Sequence, residues 1–200
     1  MATYRAIEAT CDTVVELLED HAPPELHDAA LGFSVVTQTQ LAAGPGAGVT
    51  LFLHRVLLDG TERAPDGRTR PDGRRQVPQL PVQLRFILTA WGTEPSLQQY
   101  LTGWMMRVVA DHPVLPAGLL NRRYDADAEV FWPDETVELM PAAIADDELY
   151  QLWDLIGSGT YQLSVPYQAR GIRIESPRLL EEGGPVLERV FDYHVVRGTS

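Results

Sequence analysis

Three helices are predicted by apolar residues that recur every three or four positions along the chain. The stripe of the first helix comprises Ile7, Cys11, Val14 and Leu18. The stripe of the second, for which Ser96 and Gln99 have capping-box spacing, comprises Leu97, Leu101, Trp104 and Val108. The stripe of the third, which opens with acidic residues 146–148, comprises Leu149, Trp153 and Ile156. Prolines or glycines follow each stripe and predict where the helices end.

Six strands are predicted by segments with alternating or two-sided apolar patterns. These segments are 33–41, 49–58, 82–89, 136–140, 161–174 and 186–196. Residues 44–48, which contain three glycines and a proline, predict a hairpin turn between the first two strands. The element order predicts an α+β fold with a mixed, largely antiparallel sheet on which about three helices pack.

Two polar segments divide the chain. Residues 59–78 are rich in arginine, proline and Asp-Gly pairs without a helical or strand period, and we expect a mobile loop. Residues 177–185 are rich in proline and glycine and precede the last predicted strand. We therefore expect a domain over 1–176 and a linker with a C-terminal strand or arm over 177–200.

The charge of the chain argues against nucleic acid as a partner. The net charge is −12, and all 16 basic residues other than histidine are arginines. Five of them cluster at positions 63, 68, 70, 74 and 75, but acidic residues 62, 66 and 72 alternate with them, so the cluster is nearly neutral. Phosphate backbones bind clustered and uncompensated cations. No apolar run approaches the roughly 20 residues of a membrane span, and no N-terminal apolar run is typical of a secretory signal, so an intracellular protein is expected.

No motif predicts a catalytic, cofactor-binding or metal-binding residue. The ligand-type residues Glu19, Asp20, His21, Glu25, His27 and Asp28 lie close together, but they flank two prolines in a connection where polar side chains face water. Cys11 lies on an apolar stripe and is expected to be a buried hydrophobe. Residues 157–159 follow a helix and not a strand, unlike a nucleophile elbow. Residues 44–48 lead into a strand, unlike a phosphate-binding loop.

Several motifs in a fixed order resemble one known family. The run 80–92 ends in Leu88-Thr89-Ala90-Trp91-Gly92 and continues through a helix to Asp111-His112-Pro113-Val114-Leu115. Glu138-Leu139-Met140-Pro141, Leu152-Trp153 and Tyr161-Gln162-Leu163-Ser164-Val165-Pro166-Tyr167 follow. Over residues 3–176 the chain resembles the cap, or tail-terminator, proteins of extracellular-type, phage-tail-like contractile injection systems. It departs from them in the long, arginine-rich loop 59–78 and in ending soon after the domain.

The resemblance implies a tail-terminator fold and a structural role. It implies a homo-oligomer, a hexameric ring, that ends the inner tube and sheath at the end distal to the baseplate, without catalysis, cofactor or metal. It also implies a cytoplasmic location within an assembled particle, and whether the particle is released stays open. Two other hypotheses are a soluble enzyme whose site is built from distant residues, around His54 or the 19–28 group, and an adaptor that binds effectors.

Two groups of residues are predicted to make the assembly contacts. The first comes from the polar loop and comprises Arg68, Arg70, Arg74 and Arg75. The second is the apolar side of the C-terminal strand and comprises Leu187, Phe191, Tyr193 and Val195. An open strand edge supplies affinity through main-chain hydrogen bonds, so this strand is expected to join a neighbouring subunit or to form the edge to which a sheath strand adds. The alternative is that it pairs only within its own chain.

Overall fold

The computed structural model describes residues 4–24, 31–44, 46–60, 66–69, 72–125, 129–157 and 161–180. Five helices lie in this part: α1 Ala6–Asp20, α2 Gln38–Ala43, α3 Pro95–Asp111, α4 Ala117–Leu120 and α5 Asp146–Ile156. The strands are β1 Gly32–Val35, β2 Gly48–Leu58, β3 Leu80–Trp91, β4 Val114–Pro116, β5 Thr136–Pro141 and β6 Ser164–Ile174. The three predicted helices correspond to α1, α3 and α5. The predicted strand 186–196 lies outside the described residues.

One six-stranded sheet organises the fold, with the strand order β1-β2-β3-β6-β5-β4. All neighbouring strands are antiparallel except β1 and β2, which are parallel. The predicted α+β class with a mixed, largely antiparallel sheet is therefore confirmed. The strand β3 lies inside the sheet and pairs along nearly its whole length with both β2 and β6.

The main hydrophobic core lies between one face of the sheet and the helices α1 and α3. Val14 and Leu18 of α1 and Leu101 and Met105 of α3 are fully buried in it. The residues of β3 that enter this core are Val82, Leu84, Phe86, Leu88 and Ala90. Their spacing of two residues follows from the alternation of side chains along a strand.

A second, smaller core lies on the opposite face of the sheet. Ile87 of β3 packs there with Leu41 of α2 and Trp153 of α5. Only the end of β3 near Trp91 takes part in this core. Toward the start of the strand, Gln83 and Arg85 occupy the same face. The second face is thus apolar at one end and polar at the other.

The first predicted strand is wrong beyond Val35. Residues 38–43 form the helix α2, which begins after a capping box in which the backbone N–H of Thr37 donates to Gln40 Oε1 at 2.8 Å. The predicted hairpin is wrong for the same reason. Because α2 carries the chain back along the sheet, β2 runs parallel to β1.

Two smaller predictions also differ from the structure. The helix α3 begins at Pro95, so Glu94 is its N-cap and the predicted Ser96–Gln99 capping box does not form. Proline fits the first helical position because its missing N–H has no partner there in any case. The strand β6 begins at Ser164, three residues after the predicted start, and it is irregular near Gly171, whose φ is +85°.

Replacement of Gly48 by alanine is expected to weaken the sheet where β1 joins β2. Gly48 has a φ of +142°, and a Cβ atom there would lie 2.0 Å from the carbonyl oxygen of Gly32. We expect Gly48→Ala to lower the free energy of unfolding by about 1–3 kcal/mol, as measured by urea denaturation. Gly103→Ala is the control: nothing lies within 4 Å of its added Cβ in α3, so a gain of about 0.5–1 kcal/mol is expected. Equal stability of Gly48→Ala and the parent would contradict the close pairing of β1 and β2.

Candidate functional site

Three arginines lie on the polar half of the sheet's second face. The strand register places Arg55 of β2 directly opposite Arg85 of β3, and Gln168 of β6 on the other side of Arg85. Arg170 lies on the same face as Gln168, since alternate residues of a strand point the same way. We call Arg55, Arg85 and Arg170 the arginine face.

Two of the three charges of the arginine face, those of Arg55 and Arg85, have no carboxylate opposite them in the sheet, whereas Arg170 lies opposite Glu138 of β5. None of the three forms a salt bridge with a described residue, whereas six other arginines do. Arg55 and Arg85 face each other directly, and like charges in this position destabilise a sheet. Burial lowers the pKa of the neighbouring His54, with the positive charge of Arg85 as the next cause. Arg55 also lowers this pKa, whereas Glu148 of α5 opposes the shift, so a local excess of positive charge lies at Arg55 and Arg85.

Arg68 holds the end of the polar loop to the sheet. Its Nε donates to Glu175 Oε1 at 2.8 Å. Its Nη2 lies 3.2 Å from Asp134 Oδ1 and 3.4 Å from Glu135 Oε1. The guanidinium also lies over the ring of Trp132, 5.0 Å from the centroid. We call Arg68 and these three carboxylates the Arg68 clamp.

The carboxylates of the Arg68 clamp are unequally buried. The Glu175 side chain is 2% exposed and also accepts hydrogen bonds from Gln79 Nε2 at 2.9 Å and Trp132 Nε1 at 3.1 Å. Burial raises the pKa of Glu135, although Arg68 opposes the shift. The hydrogen bond from Arg68 lowers the pKa of the exposed Asp134. The clamp therefore gives Arg68 a structural role.

The described residues of the segment 59–78 are closely attached to the domain. A Cβ atom added to Gly67 would lie 1.9 Å from the carbonyl oxygen of Gln76, so the two backbones are in contact. Gln76 itself is buried and bridges to Leu179. The mobility expected for this loop stays a prediction.

A polar recess of about 290 Å³ lies between the Arg68 clamp and the arginine face. The charged residues that line it are Asp59, Asp134, Glu135, Glu138, Arg68, Arg170 and Arg173. Carboxylates and guanidinium groups are mixed in its wall, so it offers no strongly charged site. Within the described ranges, no three side chains of the types that bind metals are grouped so that they could hold an ion.

The two edges of the sheet differ in their capacity to pair with another strand. At one edge, β1 bonds to β2 through Gly32 and Val36, so the main-chain polar groups of Phe33 and Val35 point away from β2. At the other edge, β4 has three residues, ends in Pro116 and follows Pro113. A short edge strand flanked by prolines resists strand addition. The edge at β1 is therefore the more open one.

The predicted contact residues are only partly described. Arg74 pairs with Asp72 at 2.8 Å and Arg75 with Asp66 at 3.3 Å, and the side chains of all four are at least 44% exposed. Arg70 and the four C-terminal residues Leu187, Phe191, Tyr193 and Val195 lie outside the described residues. The structure thus brings Arg74 and Arg75 to the surface and holds Arg68 in the clamp.

The residues considered for chemistry are engaged in packing and hydrogen bonding. Asp20 pairs with Arg122, and His21 Nδ1 lies 2.8 Å from the carbonyl oxygen of Leu17, with its ring 4.6 Å from that of His112. Glu25, His27, Asp28 and residues 158–159 lie outside the described ranges. Cys11 is buried, and burial raises the pKa of its thiol to about 12. A thiol with this pKa is not a nucleophile at neutral pH.

Sequence reasoning missed the arginine face. The sequence contained a signal for Arg85 and Arg170, since both lie at polar positions of strands in which apolar and polar residues alternate. Strand alternation shows which residues of one strand share a face, but it does not show which strands become neighbours. The convergence of the three arginines depends on the order β2-β3-β6.

The fold places this chain among terminator-like α+β proteins. Among solved structures it is similar to the sheath/tube terminator of an extracellular contractile injection system, PVC, in the extended state, with a TM-score of 0.60 and 14% identity. That match covers 97% of this chain and 65% of the other. It is also similar to the tube-terminating cap of the anti-feeding prophage, with a TM-score of 0.55, 14% identity, and 92% and 59% coverage. The chain thus spans less than two thirds of the length of either protein.

The chain belongs to the family described as the Pvc16 N-terminal domain, whose model matches residues 9–188. A search of the curated proteins by sequence finds no match. No helix among the described residues is long and apolar enough to cross a membrane.

Replacement of Arg68 by alanine is expected to destabilise the domain. It leaves the buried carboxylate of Glu175 with only its two neutral donors, and the loss of one partner from a buried pair is costly. We expect a decrease of about 2–3 kcal/mol in the free energy of unfolding, measured by urea denaturation. The matched control is Arg74→Ala, whose exposed pair with Asp72 is expected to contribute less than about 0.5 kcal/mol. Equal effects of the two variants would show that Arg68 is not a structural clamp.

Proposed function

We propose that this protein is a non-enzymatic structural cap that ends the tube and sheath of a contractile injection particle at the end distal to the baseplate. The observation that carries this proposal is the family match over residues 9–188. The fold likeness to two terminating proteins, over 97% and 92% of this chain, supports it.

The side chains of the described part support a structural role over an enzymatic one. The buried carboxylate Glu175 is held by Arg68, Gln79 and Trp132, and Cys11 is a buried, protonated thiol. An active site brings a nucleophile or base together with an orienting partner in a cleft. The charged recess near Arg170 contains carboxylates and guanidinium groups but no such pair among the described residues.

The proposed cap is a homo-oligomeric ring, and we infer a hexamer. In a closed head-to-tail ring each subunit presents a different surface to each neighbour. The two sheet edges of this domain meet that requirement, because β1 is open and β4 is closed by prolines. We infer that the ring assembles on the particle in the cytoplasm.

The C-terminal strand 186–196 is the proposed assembly element. Its apolar side, Leu187, Phe191, Tyr193 and Val195, would join a neighbouring subunit, or the strand would form the edge to which a sheath strand adds. The open edge of β1 supports pairing between subunits, since its outward main-chain groups need partners. The exposed Arg74 and Arg75, with Arg68 and Arg70 of the same loop, are proposed as further contacts.

Truncation after Gly184 tests the assembly element. We expect the truncated chain to stay folded by circular dichroism, because the described cores use no residue beyond 184. In a cell that makes the particle, we expect uncapped particles with sheaths of uncontrolled length in electron micrographs.

As matched point variants, Phe191→Ser with Tyr193→Ser should fail to cap, whereas His194→Ser on the other side of the strand should cap normally. Normal capping by the truncated chain would exclude the C-terminal strand.

Imaging of particle ends tests the cap itself. We expect a ring of six-fold symmetry at one end of each particle, and its loss when the gene is deleted. Light scattering of the isolated protein over a range of concentrations separates a preformed ring from subunits that assemble only on the particle. Particle ends without density for this protein would contradict the proposed function.

A further inference from the structure

The arginine face is an incomplete surface. Arg55 is exposed and lies directly against Arg85, so a repulsion is built into the middle of the sheet. The Nε atoms of Arg85 and Arg170 are buried without a hydrogen-bond partner among the described residues. An unsatisfied buried donor and an unopposed charge both cost stability, and a carboxylate placed over the three guanidinium groups would remove both costs.

The chain itself has an acidic segment at the right end of the sheet. The described chain ends at Leu180, whose N–H donates to the carbonyl oxygen of Arg75 at 2.8 Å. Arg75 lies five residues before the start of β3, and Leu180 lies six residues after the end of β6, where Leu80 pairs with Ile174. The polar half of the second face begins at the same end of the sheet, so the described chain ends on the side that is nearer the arginine face.

The charge and reach of residues 181–200 suit this surface. The segment contains four acids, Glu181, Glu182, Glu188 and Asp192, and two arginines. Arg85 lies ten residues along the chain from Arg75, the hydrogen-bond partner of Leu180, which is at most about 33 Å at about 3.3 Å per residue. Twelve extended residues from Leu180 to Asp192 span up to about 40 Å, so Asp192 can reach Arg85. Glu188, at up to about 27 Å, reaches the part of the face that is nearer the start of β3. In an extended segment Glu188 and Asp192 point to the same side, because they are separated by an even number of residues.

We propose that in the unassembled subunit the acidic C-terminal segment 181–192 docks on the arginine face of its own chain. Glu188 and Asp192 bind the guanidinium groups of Arg55, Arg85 and Arg170, and the apolar side of the segment faces away from them. This interaction is a property of the isolated subunit and does not depend on the proposed capping function. It gives Arg55 and Arg85 a carboxylate partner that the described residues do not place opposite them.

Limited proteolysis of the full-length isolated protein tests the docking. Chymotrypsin cleavage after Phe191 and Tyr193 reports how often the segment is released. We expect Arg55→Glu with Arg85→Glu to speed cleavage by about tenfold, because the attraction becomes a repulsion. Adding Glu188→Arg and Asp192→Arg to that variant should restore protection. Arg74→Glu with Arg75→Glu, which changes the same charge outside the arginine face, should leave the cleavage rate unchanged.

Three further measurements distinguish docking within one chain from the alternatives. The urea midpoint tests for unfolding of the domain. The dependence of protection on protein concentration tests for contacts between chains, and its dependence on salt tests for the charge interaction. Removing the Arg55–Arg85 repulsion is not expected to destabilise the sheet, so Arg85→Glu alone should keep the parent's urea midpoint while it speeds cleavage. Protection should be the same in dilute and concentrated solution, and 1 M NaCl should reduce it. Three results would each overturn the proposal. The parent would be cleaved as fast as a free 181–200 peptide, its protection would be lost on dilution, or adding Glu188→Arg and Asp192→Arg would not restore protection.

Discussion

Burial of β3 on both faces is the constraint on which the structure depends. Its even-numbered residues from Val82 to Ala90 enter the main core, and Ile87 enters the smaller one. A strand buried on both sides must bond to a strand at each edge, because its main-chain polar groups have no access to water. Pairing with β2 and β6 meets this requirement; β1 then pairs with β2, β5 pairs with β6, and β4 pairs with β5.

The same arrangement places the polar surfaces. Since α2 and α5 form the smaller core at one end of the second face, the other end keeps the polar residues of β2, β3 and β6. The Arg68 clamp then closes one side of this region by joining the polar loop to Glu175 at the end of β6. The carboxylates of the clamp bind Arg68 within the domain, whereas Arg55 and Arg85 form no salt bridge with the described residues.

The arginine face and the β1 edge differ in the kind of partner that they suit. An edge binds any strand through main-chain hydrogen bonds, and side-chain pockets add the selectivity. A face of guanidinium groups instead selects carboxylates, and charge on the surface acts on the rate of association as well as on affinity. In a chain with 28 acidic residues, three arginines that form no salt bridge within the described ranges are a clear local departure from the overall charge.

The sequence by itself determined the elements that have a long and regular pattern. The apolar stripes of α1, α3 and α5 and the alternation in β2, β3, β5 and β6 reflect a periodicity that local geometry imposes. The short elements α2, β4 and α4 span too few residues to show a period, so the parallel pairing of β1 with β2 was missed. Arg68 looked like part of a polar loop, because its partners Asp134 and Glu175 are 66 and 107 residues away. Strand order and such distant pairs were decided only by the tertiary structure, since contacts between separate elements leave no repeating pattern in the chain.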